Sequence, residues 1–132
     1  MDFSIKRMYI RDAGDILLID LQTTQSSKLM ESKCTLQFYQ CEWRILQNDR
    51  ILIGSRDCTD EQEEIILRTH VNSTNIIEIQ PFNNNLDWRI VLPNNVCIEV
   101  FSTSSHITVN QQICAKNDGF VSVYDFLQLM SW

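Results

Sequence analysis

Leu86-Asp87-Trp88-Arg89-Ile90-Val91-Leu92-Pro93-Asn94-Asn95-Val96-Cys97-Ile98-Glu99-Val100-Phe101 is the stretch that decides the fold. It reads as two strands joined by a turn. A three-residue loop Pro93-Asn94-Asn95, with Asn95 in the left-handed conformation such loops require, sets Leu92 opposite Val96, Ile90 opposite Ile98 and Trp88 opposite Val100. One side of the ribbon is then wholly apolar. The same register places Val91 against Cys97 and Arg89 against Glu99, an opposite-charge cross-strand pair on the other side. A two-residue loop sets Ile90 against Glu99 and Arg89 against Val100, mixing charge with hydrophobe on both faces, so the three-residue register is preferred.

Working outward, hairpin logic recurs along the chain. Residues 3–10 mix apolar and basic side chains and read as a first strand ending in the turn chemistry of residues 11–15. Residues 16–21 form a short apolar run bounded by turns, which favours a strand over a helix. Together they predict an N-terminal hairpin. Residues 23–33 read as a polar, exposed connection. The next strand is expected over about 34–46, with Leu36 and Phe38 on one side and Thr35, Gln37, Tyr39 and Cys41 on the other. Gln47-Asn48-Asp49-Arg50 turns it into a short strand over 51–53. Trp43-Arg44-Ile45 followed by Ile51-x-Ile53 echoes Trp88-Arg89-Ile90 followed by Val96-x-Ile98. Two like hairpins packing as successive parts of one sheet and chance recurrence of a common pattern both fit that echo.

Thr59-x-x-Gln62 is a capping box, and Asp60, Glu61, Glu63 and Glu64 follow in the first turns, where carboxylates favour the helix dipole. A surface helix is expected from about 60 to 69 or 70, with Ile65, Ile66 or Leu67 turned inward. Residues 75–80 read as a strand with Ile77 and Ile79 on one face, Ile76 and Glu78 on the other, ended by Pro81. Beyond Phe101 a strand within 106–113, a turn at Asn117-Asp118-Gly119 and a short C-terminal helix opened by Ser122-Val123-Tyr124-Asp125 complete the pattern. The expected class is α+β: mainly antiparallel curved β-sheet built from hairpins, with one or two short helices packed on it. A chain of 132 residues is long enough for one sizeable core and short for two, so a single domain 1–132 is expected.

Composition narrows the function classes. No apolar run approaches a membrane span, the longest being Ile16-Leu17-Leu18-Ile19 between Asp15 and Asp20. The N-terminal residues lack signal-peptide order, which points to a cytoplasmic protein. Five cysteines, Cys34, Cys41, Cys58, Cys97 and Cys114, form an odd set without Cys-x-x-Cys spacing, so reduced thiols are expected. A net charge of −6 disfavours direct nucleic-acid binding, which depends on Lys and Arg, and favours a basic protein partner.

No catalytic signature is present. With three glycines, Gly14, Gly54 and Gly119, the chain has no phosphate loop and no Gly-x-Ser-x-Gly. His70 and His106 have no metal-ligand spacing, so neither a metal nor another cofactor is expected. A Cys/His nucleophile pair such as Cys58 with His106 stays open, since such partners need meet only in space. The patch that stands out is Asp57, Asp60, Glu61, Glu63 and Glu64, with Arg56 and Arg68 nearby. It reads either as a solvated helix N-terminus or as an acidic partner-binding surface. Trp43 and Trp88 each begin an alternating apolar face and read as core anchors.

Four segments carry a family likeness. Tyr9-Ile10-Arg11-Asp12-Ala13-Gly14-Asp15-Ile16-Leu17, Leu36-Gln37-Phe38-Tyr39-Gln40-Cys41-Glu42-Trp43-Arg44-Ile45, the turn Gly54-Ser55-Arg56-Asp57 and residues 86–105 resemble, in order and spacing, segments of a group of small bacterial proteins of the immunity type. The tail after Ser105 departs from that pattern. The resemblance implies no catalytic residues. It implies an inhibitor that binds one toxin C-terminal domain, frequently a nuclease, of a polymorphic-toxin or contact-dependent growth inhibition system. A small enzyme or ligand-binding domain is the alternative from another class.

Overall fold

The computed structural model describes residues 3–11, 16–23, 33–39, 41–55, 60–82, 87–102, 111–115 and 119–122. Among these described residues alternating apolar positions give ten strands: β1 (Phe3–Arg11), β2 (Ile16–Thr23), β3 (Lys33–Tyr39), β4 (Cys41–Gln47), β5 (Arg50–Gly54), β6 (Glu78–Phe82), β7 (Asp87–Leu92), β8 (Val96–Ser102), β9 (Gln111–Ala115) and β10 (Gly119–Ser122). One short helix, α1 (Asp60–Ile66), runs into a π-helical turn, Leu67–Val71. All strand pairs are antiparallel. They sort into two five-stranded sheets, ordered β1-β2-β3-β9-β10 and β5-β4-β8-β7-β6. The class is α+β, with the strands divided between two sheets.

The central hairpin has the expected register: Trp88 pairs with Val100, Arg89 with Glu99, Ile90 with Ile98, Val91 with Cys97 and Leu92 with Val96. Both Asn94 (φ 64°) and Asn95 (φ 60°) take the left-handed conformation, which asparagine tolerates better than most residues. The Trp-Arg-Ile echo has a structural meaning. β4 and β7 lie on either side of β8, so that Trp43, Val100 and Trp88 form one row across the sheet. Arg44, Glu99 and Arg89 form the next, and Ile45, Ile98 and Ile90 the third. The Trp and Ile rows are buried in the core.

Residues 34–46 are not one strand. β3 belongs to the first sheet and β4 to the second, with the chain changing sheets between Tyr39 and Cys41. The apolar phase explains this: Leu36 and Phe38 are buried at even positions, Trp43 and Ile45 at odd ones, and an unbroken strand sends those two sets to opposite faces. Two bulges make similar phase changes. An extra residue at Lys6 lets Ile5 and Met8 both face inward. In the β4–β5 pairing Ile45 meets Ile53 while Leu46 meets Ile51, so Leu52 is the extra residue. Ile53 is therefore buried whereas Ile51, two positions earlier, is 57% exposed.

Other boundaries shift for identifiable reasons. The strand expected over 75–80 begins at Glu78 and runs through Pro81, which an edge position allows because no inner partner needs its N–H. Ile76 and Ile79 are buried and Ile77 is exposed, because residues 73–76 belong to a different pairing. They strap the outer side of β1: the N–H groups of Ser73 and Ile76 donate to the Ile5 and Phe3 carbonyls, both at 2.8 Å, and Ile5 N–H donates to Thr74 at 2.7 Å. Asn72 Oδ1 accepts from Met8 N–H at 3.1 Å, extending the strap. The strand expected within 106–113 lies at Gln111–Ala115 and pairs with β10 and β3. Ser122, the expected cap of a C-terminal helix, ends β10. The rest of that helix lies outside the described residues.

One apolar cluster draws on both sheets, from Phe3, Ile19 and Phe38 on one to Trp43, Trp88 and Ile98 on the other. Leu67 and Val71 of the π-helical turn join it. Trp43 and Trp88 are core residues, at 4% and 0% exposure. Among the described residues no helix is long and apolar enough to cross a membrane.

Candidate functional site

The acidic patch is carried by α1. Asp60, Glu61 and Glu64 are exposed and Glu63 is half-buried, while Asp57 lies outside the described residues. The helix buries none of its own residues. It is held by the turn that follows, where Asn72 N–H donates to the Leu67 carbonyl at 2.8 Å. That wider π-type turn brings Leu67 and Val71 inward. Ile65 is left 46% exposed and Ile66 half-buried. The expected helix of 60 to 69 or 70 is thus α-helical only to Ile66.

Beside the carboxylates lies an apolar groove that the acidic pattern alone did not reveal. Ile51, Leu52, Ile53 and Gly54 of β5 form one wall. Gln62, Ile65 and Ile66, at helical spacing on one face of α1, form the other. The volume between them is about 400 Å³. Ile51 and Gly54 also border a second depression of about 320 Å³ on the outer sheet face, with Glu42, Arg44, Ser55 and Phe101. Asp60, Glu61 and Glu64 are exposed on the same helix but do not line the groove, and helical spacing sets Asp60 and Glu64 on the side of α1 opposite Gln62, Ile65 and Ile66.

The outer face of the second sheet carries a charged row. Glu99, only 5% exposed, lies between two half-exposed arginines. It accepts from Arg44 Nε at 2.6 Å, and from Arg89 Nε at 3.1 Å and a terminal guanidinium nitrogen at 2.8 Å. Burial pushes its carboxyl pKa upward, but the hydrogen bonds and charges of Arg89 and Arg44 outweigh that and hold it below the ordinary value. Arg44 also sits over the Phe101 ring, 5.1 Å from its centre. Next to it, Ser55 Oγ donates to Glu42 Oε2 at 2.5 Å and accepts from Trp43 N–H at 3.2 Å. These charges are spent on one another, which makes the row a brace for the sheet.

Among the described residues no cysteine is set beside a histidine. The Cys41 thiol is pushed up to about 12, first by burial and then by Glu42, so it is protonated at neutral pH and a poor nucleophile. The Cys97 thiol is raised for the same first reason, with Glu99 adding to it. Both cysteines are free thiols. Cys58 and His106 lie outside the described residues, and His70 sits half-buried in the π-helical turn. Among the described residues no three His, Cys, Asp or Glu side chains cluster as a metal site.

No protein-family model, curated protein or solved structure matches the chain.

Proposed function

We propose that the chain is an immunity protein: a non-enzymatic inhibitor that binds the basic C-terminal domain of a cognate bacterial toxin inside the cell that makes both, and obstructs its active or substrate-binding surface. The observation that carries this reading is the exposed apolar groove between β5 and α1, on a helix that also exposes Asp60, Glu61 and Glu64. A basic protein surface with one or two apolar side chains complements it in charge and in polarity. The acidic net charge and the likeness of residues 9–17, 36–45, 54–57 and 86–105 to immunity-type proteins support the same reading. A nuclease surface built to hold phosphate is the kind of basic partner such an acidic helix fits.

The test is co-expression with the toxin domain encoded immediately upstream. Wild-type chain is expected to restore growth and to form a one-to-one complex. The groove variant Ile51→Lys, which replaces a half-exposed apolar side chain with a cation that repels a basic partner, is expected to bind at least tenfold more weakly. Growth arrest that wild-type chain leaves unchanged would reject the proposal.

A further inference from the structure

We draw no further inference here: the strongest candidate, the depression on the outer face of the second sheet between Arg44, Gly54 and Phe101, brings the opposed charges of Arg44 and Glu42 to one opening, and nothing in the structure shows what covers it.

Discussion

Glu99 shows how a single side chain sets a pH limit. Its folded-state pKa is depressed by Arg89 and Arg44, so its contribution to stability is complete above the ordinary carboxylate value of 4.5 and is lost as pH falls through the lowered one. Glu99→Gln keeps the shape but weakens both charge-assisted bonds; a loss of about 2 kcal/mol at neutral pH is expected. Its urea midpoint should also fall less steeply than that of wild type below pH 4.5, and denaturation curves across that range check both. Asn48 (φ 51°) and Asp49 (φ 64°) form the two-residue turn between β4 and β5, both with the positive φ of a type I′ hairpin. Asp49→Gly relieves the side-chain penalty at that φ, and a gain of about 0.5 kcal/mol is expected. A thermal melt shifted downward would contradict that account.

At the scale of elements, the β7–β8 hairpin was legible because its residues agree on one register. Trp88, Ile90 and Leu92 alternate with Arg89 and Val91, and only the three-residue loop keeps Arg89 beside Glu99. The strand over 34–46 was harder. Its apolar phase slips between Phe38 and Trp43, a signal present in the residues but masked by the unbroken β propensity of Leu36 to Ile45. The groove was less legible still. The carboxylates of α1 announce themselves by type, whereas the outward turn of Ile51 depends on a bulge at Leu52 that leaves no mark in the alternation. The hold on α1 belongs to the π-helical turn behind it. Val71→Ala removes a fully buried side chain from that anchor, and a loss of about 2 kcal/mol is expected, with amide exchange accelerated across residues 60–71 more than in β7 or β8.

For the whole molecule, the partition into two sheets was the least readable feature, because it is fixed by contacts between distant segments. Leu36 pairs with Ile113 and Trp43 with Val100, and no local pattern names those partners. The long separations predict slow folding for a chain of this size. Charge acts at the same scale. With a net charge of −6, association with a basic partner is expected to slow as salt rises, by roughly tenfold between low ionic strength and physiological ionic strength, while the dissociation rate changes little. Stopped-flow measurements over a salt series read both rates, and an association rate indifferent to salt would remove electrostatic steering from the account.

Both margins of the second sheet bear on self-association. Among the described residues β6 ends it with exposed Pro81 and Glu78, and β5 ends it with a bulge at Leu52 that interrupts the regular ladder. Polymerisation by sheet extension needs a receptive margin at both ends of every unit, so that each newcomer can recruit the next. A body with both flanks guarded does not build fibres that way.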